Sequence, residues 1–199
     1  MKIEFDEATH SYKIDGRSEP SVTQIISETT GHGWQAAQWF LDRGKAIHKC
    51  AEFIANGNEF KADPRLDGYI AALRKFFKET GAKIHQSEQL VASALYHFCG
   101  MLDLGCQIGT RNVLVDFKHS VDKIRIKLQI GGYAIAENET TGTRYNFGAG
   151  VQIKEDGTYQ MTEIFDLTKP AREFLALRTC YRIKEQCKTL STQQKDGEK

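Results

Sequence analysis

The segment that most constrains the fold is residues 100–120, GMLDLGCQIGTRNVLVDFKHS, in which two apolar runs flank a short polar turn. The second run, NVLVDFKHS, is nearly continuous in apolar residues, which is typical of a strand covered on both faces. The first run, LYHFCGMLDLGCQI, and KIHQSEQLVAS before it predict two further strands. We therefore predict a sheet in which NVLVDFKHS lies near the centre.

Three charged residues interrupt these apolar runs: Asp103, Asp116 and Lys118. Asp116 and Lys118 are two apart, so in a strand they project from the same side. If the two strands pair through the QIGTRN turn, the carboxylates of Asp103 and Asp116 come close together. Close carboxylates repel and are costly to bury, so a cation is expected between them, and Mg²⁺ prefers oxygen ligands. The alternative is a solvated surface hairpin, because an Asp-x-Lys pair also occurs by chance.

Helical spacing of apolar residues dominates the rest of the chain. It predicts helices over 34–54, 124–139 and 169–190, a short helix that begins after Ser21, and another between Pro64 and Gly81. Two hairpins are predicted as well, one at the N-terminus in IEFDEATHSYKIDG and one joined by Asp156-Gly157. This order of elements predicts an α/β or α+β fold, with helices on the faces of a sheet.

The bulk composition is that of a folded soluble domain, with 199 residues, 40% hydrophobic and 27% charged. We expect one domain over residues 1–190 and a disordered polar tail over residues 191–199. The net charge of +1 means that any nucleic-acid surface must be a local basic cluster. Acids in MKIEFDEATH and the lack of a long apolar run predict a cytoplasmic protein. The odd number of cysteines, five, predicts reduced thiols in a chain that is not secreted, and the lack of a C-x-x-C pair argues against a zinc site.

Two helical pairs add polar groups at helical spacing. His48 and Glu52 are four apart in DRGKAIHKCAE, and Gln129 and Tyr133 are four apart in LQIGGYA. Each pair lies on one helix face, where it can point at a common site. Each also has a plainer interpretation: His48 and Glu52 as a solvated helix side, Tyr133 as core packing, and Gln129 as an amide in water.

In this order, the motifs resemble the PD-(D/E)XK nuclease superfamily, specifically its RecB-like exonuclease branch. The branch has an Arg-Gly start with a helical histidine, a G-x-x-D strand, a D-x-K strand and a Q-x-x-x-Y helix. Here they are, in chain order, Arg43-Gly44 with His48, Gly100 with Asp103, Asp116 with Lys118, and Gln129 with Tyr133. The upstream segment HSYKIDGRSEPSVTQIISETTG and the later SEQLV are also similar to phage exonucleases and to the mitochondrial genome maintenance exonuclease.

The resemblance implies a restriction-endonuclease-like core, with a central mixed β-sheet flanked by helices. It implies a Mg²⁺- or Mn²⁺-dependent DNA exonuclease in recombination, repair or phage DNA processing. DNA with single-stranded or duplex ends would be the substrate, and a recombination or single-strand-binding protein a partner. A structure-selective endonuclease and a non-catalytic DNA-binding scaffold are the alternatives. The four-cysteine cluster and the helicase domains of some relatives are missing, and Asp116 stands where other branches have glutamate.

The resemblance also assigns roles to individual residues. The catalytic set is Asp103, Asp116, Lys118, His48, Gln129 and Tyr133. The metal ligands are His48, Asp103, Asp116 and the Phe117 carbonyl, with Glu52 and Glu88 as further candidates. The residues themselves suggest the DNA contacts. Arg43, Ser21 and Thr23 could bind phosphate, with an ordinary helix N-cap as the alternative for Ser21. Lys123, Arg125 and Lys127 alternate, which predicts one face presented to backbone phosphate or, alternatively, an ordinary solvated segment. The candidate stacking groups are Trp34, Trp39 and Tyr96, with core packing as the alternative for Trp39. Gly100 is expected to let the two aspartates converge.

Overall fold

A computed structural model describes residues 1–31 and 38–196, with side chains over 1–31 and 42–190. This part of the chain contains nine strands, five α-helices and one short 3-10 helix (Pro64–Leu66). The bounds of the strands and α-helices follow in chain order. The first part contains β1 (Ile3–Asp6), β2 (Ser11–Ile14), β3 (Arg17–Glu19), α1 (Val22–Thr30), α2 (Gln38–Ala55) and α3 (Asp67–Thr80). The second part contains β4 (Lys83–Ser93), β5 (Phe98–Ile108), β6 (Arg111–Lys118), α4 (Lys123–Thr141), β7 (Phe147–Ile153), β8 (Tyr159–Met161), β9 (Phe165–Asp166) and α5 (Thr168–Asp196).

The central sheet has the strand order β4-β5-β6-β7-β8, and β9 pairs with β7 as well. The neighbours are antiparallel except β6 and β7, which run parallel. Parallel neighbours cannot be joined by a tight turn, so the chain crosses between them through α4. Strand β6 lies inside the sheet, and its apolar residues are at most 2% exposed. The sheet is therefore mixed, as predicted.

The two faces of the central sheet carry separate cores. Helices α1, α4 and α5 cover one face, where Ile130 and Phe174 are fully buried. Helices α2 and α3 contribute to the other core, in which Phe76 meets the ring of Phe117 edge to face at 5.4 Å. Because β6 supplies Phe117 to one core and Leu114 to the other, both faces hold it in place. The end of β6 is thus a rigid platform for the charged residues it carries.

The first three strands form a separate antiparallel sheet. Tyr12 and Ile14 of β2 pack with Ala92 and Cys99 at the β4–β5 end of the central sheet. The sequence predicted β1 and β2, but it missed β3, which pairs with β2 through Tyr12 and Glu19. The strand is three residues long and reads Arg-Ser-Glu, so it carries no apolar alternation to detect.

Helix α4 packs closely against α5, and this position aims its polar residues at the sheet. A Cβ atom built on Gly131 would lie 2.6 Å from the Pro170 carbonyl carbon, and one on Gly132 would lie 3.0 Å from the Phe174 ring. The two glycines therefore let the helices approach. Asp122 starts α4 by accepting hydrogen bonds from the amides of Ile124 and Arg125, at 2.9 and 3.1 Å.

Helix α5 runs to Asp196, so it takes in six residues of the segment that the sequence assigned to a disordered tail. Residues 197–199 lie outside the described part of the chain. Among the described helices, none combines the length and the apolar character that a membrane crossing requires.

Candidate metal and catalytic site

Three carboxylates form a row across three neighbouring strands. In the β4–β5 register, Ser87 pairs with Leu104 and Gln89 with Leu102, which places Glu88 opposite Asp103. In the β5–β6 register, Leu104 pairs with Val115. Asp103 and Asp116 are the next residues along the two strands, so they lie opposite each other. Adjacent strands lie about 4.8 Å apart, and like charges directly opposite each other destabilise a sheet. This row needs positive charge nearby.

His48 brings the first positive group to the row. Helix α2 directs its Nδ1 atom to within 3.2 Å of Asp103 Oδ1 and 3.5 Å of Glu88 Oε1. The ligand atoms of His48, Glu88 and Asp103 all lie within 4.8 Å of one another, so one ion could touch all three. Glu88, a secondary candidate from the sequence, therefore belongs to the same cluster as the leading candidates.

The backbone of Glu88 is unusual for a residue inside a strand. Its φ angle is +47°, in the left-handed region that residues other than glycine rarely adopt. The β4–β5 register also shifts between Ile84 and Gln86, shortly before this point. Strained backbone of this kind persists where the surroundings enforce it, and it is concentrated at functional sites. No signal in the sequence indicates this conformation.

Lys118 and Gln129 hold Asp116 from two sides. The Lys118 ammonium contacts Asp116 Oδ2, and the Gln129 amide donates to Oδ1 at 2.7 Å. The same amide nitrogen donates to the Tyr133 hydroxyl oxygen at 3.0 Å, which leaves the hydroxyl hydrogen free for another acceptor. The backbone amide of Phe117, the residue after Asp116, donates to Asp103 Oδ2 at 2.7 Å. This hydrogen bond ties Asp103 to the strand that carries Asp116. The structure thus brings these predicted residues together.

Burial and charge set the protonation of the cluster. Burial lowers the pKa of His48, but the charge of Asp103 and the hydrogen bonds to Asp103 and Glu88 outweigh it and raise this pKa to about 10. Burial also raises the pKa of Asp103, yet the positive charges of His48 and Lys118 hold it below the usual range. Burial and then the Asp103 charge raise the pKa of Asp116 to about 6. The site therefore carries protonated His48 and Lys118 at neutral pH.

The donor set fits a divalent cation. It offers carboxylate oxygens and one imidazole, which suit Mg²⁺ and Mn²⁺. Asp116 Oδ2 is buried and, within the described residues, contacts the Lys118 ammonium without a hydrogen bond of good geometry. The carbonyl oxygen of Phe117 also lies near the Lys118 ammonium, 3.5 Å from its Nζ atom. An incompletely paired buried oxygen beside two more carboxylates is the environment that a cation stabilises.

Gly100 has a different task from the one the sequence predicted. A Cβ atom at this position would lie 2.5 Å from Cε1 of the Tyr133 ring. Gly100 thus makes room for Tyr133, whereas the convergence of Asp103 and Asp116 follows from strand register. Sequence spacing alone does not place the α4 ring over β5, so it did not indicate this role of Gly100.

A cavity of about 1190 Å³ opens over the cluster, and it is lined by His48, Glu88, Asp103, Lys118 and Tyr133, among others. Glu52 also lines it, but its carboxylate accepts a hydrogen bond from the Lys49 ammonium at 2.6 Å. Glu52 is therefore part of the wall and lies outside the three-ligand cluster.

Four of the six candidate DNA contacts line the cavity: Arg43, Ser21, Thr23 and Arg125. Ser21 Oγ also caps α1 by accepting from the Gln24 amide at 3.0 Å, so its plainer interpretation as a cap holds too. The guanidinium of Arg43 lies over the Tyr69 ring at 5.4 Å.

The basic residues of α4 do not share one face. The alternation would align the three in a strand, but in the helix Lys123 and Lys127, four residues apart, share one side, whereas Arg125 lies on another. Arg125 lines the cavity, whereas the Lys127 ammonium lies over the Phe165 ring at 5.3 Å and Lys123 is exposed. The expectation of a single face that all three present to phosphate is therefore wrong.

Tyr96, the stacking candidate whose side chain is described, lies apart from the cluster. Tyr96 lines a second cavity, of about 430 Å³, whose walls include Leu95 and Leu175. Trp34 and the side chain of Trp39 lie outside the described residues.

Two solved structures match this arrangement over most of the chain. The crystal structure of the alkaline exonuclease LHK-Exo from Laribacter hongkongensis has a TM-score of 0.50 and 12% identity, and the match covers 90% of this chain and 94% of that one. LHK-Exo in complex with dAMP matches with the same values. The chain shares its overall fold with LHK-Exo. The shared fold confirms the predicted α/β class with a restriction-endonuclease-like core, in which helices flank a mixed central sheet. No family model and no curated protein matches the sequence.

Proposed function

We propose that this protein is a divalent-metal-dependent DNA exonuclease that hydrolyses phosphodiester bonds. The observation that carries the proposal is the row of Glu88, Asp103 and Asp116, with Lys118 beside it, in a large cavity. The fold shared with LHK-Exo, an alkaline exonuclease that binds dAMP, supports the same assignment. The fold alone does not imply an activity, so the site carries the argument.

Asp103, Asp116, His48 and Glu88 would hold Mg²⁺ or Mn²⁺, with the Phe117 carbonyl as a further ligand. When bound, the cation lowers the pKa of a coordinated water and neutralises phosphate charge. The protein's part is to hold the carboxylates in place, and three packed strands do so more precisely than loops would.

Lys118 and Tyr133 supply the positive charge and the donor for the reacting phosphate. The Lys118 ammonium would stabilise the negative charge that develops on the phosphate, and its raised pKa keeps it protonated because Asp116 and Asp103 outweigh the effect of burial. Burial raises the pKa of Tyr133 well above 10, so its hydroxyl stays a donor. Gln129 fixes both Asp116 and Tyr133 through its two amide hydrogens.

Arg43, Ser21, Thr23 and Arg125 are the proposed contacts to the DNA backbone, since all four line the same cavity. We propose Lys123 and Lys127 as contacts to a more distant part of the DNA strand. We propose roles in recombination, repair or phage DNA processing in the cytoplasm, with a single-strand-binding or recombination protein as partner.

End-labelled linear DNA, single- and double-stranded, tests the proposal with Mg²⁺, Mn²⁺ or EDTA. Nucleotide release that requires the metal is expected, and Asp116→Asn or Lys118→Met should lower it by at least about 100-fold. Asp67→Asn and Lys83→Met are matched controls, because both side chains are exposed. Release that is unchanged in the two site variants would reject the assignment.

Covalently closed single-stranded circles separate the alternatives. An exonuclease leaves them intact, whereas a structure-selective endonuclease cuts them. Binding of linear DNA without cleavage under every metal condition would favour the non-catalytic scaffold.

A further inference from the structure

Three aromatic rings of the N-terminal hairpin form a wall of the same cavity. Phe5 of β1 and Tyr12 of β2 have ring centroids 4.7 Å apart with planes tilted by 32°. The His10 ring stands edge-on to both, at 5.3 Å from Phe5 and 5.7 Å from Tyr12. All three residues line the cavity that contains the carboxylate row. None of the predicted site residues belongs to this wall.

The turn that carries His10 is held by its own hydrogen bonds. Asp6 Oδ1 accepts from the amide of Ala8 at 2.9 Å, and Asp6 Oδ2 accepts from the Thr9 hydroxyl at 2.8 Å. The turn then places His10 at φ +49°, a left-handed conformation that histidine tolerates better than most residues. The imidazole is therefore presented by a fixed turn.

The three rings differ in how much surface they leave open. Tyr12 is 4% exposed and packs with Ala92 and Cys99, so it is part of the core. Phe5 is partly exposed and His10 is exposed. Partial desolvation of the ring and then the nearby Lys45 charge lower the pKa of His10, so the ring is uncharged at neutral pH. Phe5 and an uncharged His10 thus offer ring surface to the cavity.

The charges around this wall suit a nucleic-acid strand. Arg43, Lys45 and Lys49 of α2 line the same cavity, in which Lys49 pairs with Glu52 and the Lys45 ammonium lies 3.9 Å from the Glu7 carboxylate. The cavity, at about 1190 Å³, is larger than the roughly 300–1,000 Å³ that a single small ligand fills. Cationic groups that follow a backbone and aromatic rings that stack on bases are the usual elements of single-strand binding.

We propose that Phe5 and His10 form a stacking platform for one base of an unpaired DNA strand whose backbone reaches the carboxylate row. Because the two rings are perpendicular, the base stacks on one ring and meets the other edge to face. The inference rests on the proposed function, because the strand is the nuclease substrate. It specifies the substrate as an end that is single-stranded over at least the length of the cavity.

Abasic scanning tests the platform by binding. Single-stranded oligonucleotides with one abasic position each are titrated by fluorescence anisotropy, with Ca²⁺ in place of Mg²⁺. In the wild type, loss of the stacked base should weaken binding by about 5- to 50-fold at one or two adjacent positions. In the Phe5→Leu and His10→Asn variants, loss of the base at the same positions should weaken binding by less than about twofold. Asparagine also tolerates the left-handed backbone, so the turn is kept.

Two further variants make the result specific. His10→Tyr restores a ring and should bring back the position dependence, whereas Tyr96→Leu, whose ring lies at the second cavity, should match the wild type. A flat scan in the wild type, or equal abasic costs in the wild type and the two ring variants, overturns the platform. Cleavage by the wild type with Mg²⁺ is measured separately. Position-dependent binding without cleavage overturns only the proposed nuclease activity. Cleavage together with a flat abasic scan overturns only the stacking platform.

Discussion

Glu88 lies directly across from Asp103 on neighbouring strands, and both carboxylates reach the imidazole of one histidine. Glu88 holds this place with a left-handed backbone that glutamate rarely adopts. The sequence offers Glu88 and Glu52 equally as further metal ligands. The geometry places Glu88 in the three-ligand cluster and Glu52 outside it.

We expect Glu88→Gln to weaken Mn²⁺ binding and to lower nuclease activity by about 10- to 100-fold, because a group at the ion loses its charge. Glu52→Gln is the matched control and should change both by less than about threefold, since Glu52 pairs with Lys49 in the cavity wall. Calorimetric Mn²⁺ titration and initial cleavage rates check this. Equal losses in the two variants would contradict the ranking.

Metal binding should depend on pH through His48. Its pKa is about 10 in the metal-free fold, so the imidazole must lose a proton before it can ligate an ion. The apparent Mn²⁺ affinity should therefore rise by about tenfold per pH unit between pH 7 and 9. Calorimetry in buffers of different ionisation enthalpy measures the released proton.

His48→Gln should bind Mn²⁺ more weakly and with a flatter pH dependence. The same pKa shift affects the stability of the metal-free fold. The pKa of His48 is about 10 in the folded protein and 6.5 ordinarily, so protonated His48 stabilises the fold fully below pH 6.5. This stabilisation is lost as the pH rises towards 10. A wild-type slope that persists in His48→Gln would exclude His48 as the proton source.

Gly100→Ala should lower the free energy of unfolding by about 1–3 kcal/mol, because the new methyl group overlaps the Tyr133 ring. The displaced ring should also reduce cleavage, since Tyr133 shares the Gln129 amide with Asp116. Urea unfolding monitored by circular dichroism gives the first value.

Gly44→Ala is the control for this substitution. A Cβ at Gly44 meets open space among the described residues, and the position is helical, so alanine should leave stability equal or about 1 kcal/mol higher. A Gly100→Ala protein as stable as Gly44→Ala would show that Tyr133 does not need this space.

The cysteines should divide into two reactivity classes. Burial raises the pKa of the Cys99 and Cys106 thiols to about 12 and also raises that of Cys50, whereas Cys180 and Cys187 are exposed. Iodoacetamide at pH 8 should therefore add to two residues in the folded protein and to all five in denaturant. Mass spectrometry counts the adducts, and rapid native labelling of Cys99 would contradict the buried assignment.

Much of the fold could be predicted because its signals are local. The apolar run Val113–Val115 identified an interior strand, and Gly109, with φ +60°, turns the chain from β5 into β6. The spacing of Asp116 and Lys118 also put both charges on one side of that strand. Strand β3 escaped detection because its three polar residues are defined by pairing with β2.

The sequence by itself determined which residues bring charge to the sheet and that two of them meet across a hairpin. Only the tertiary structure decided that Glu88 completes the row, that Gly100 serves Tyr133, and that Phe5 and His10 form a wall of the same cavity. The physical reason is that periodicity reports how side chains alternate within one element. Register between strands and packing between helix and sheet bring together residues whose positions in the chain are far apart.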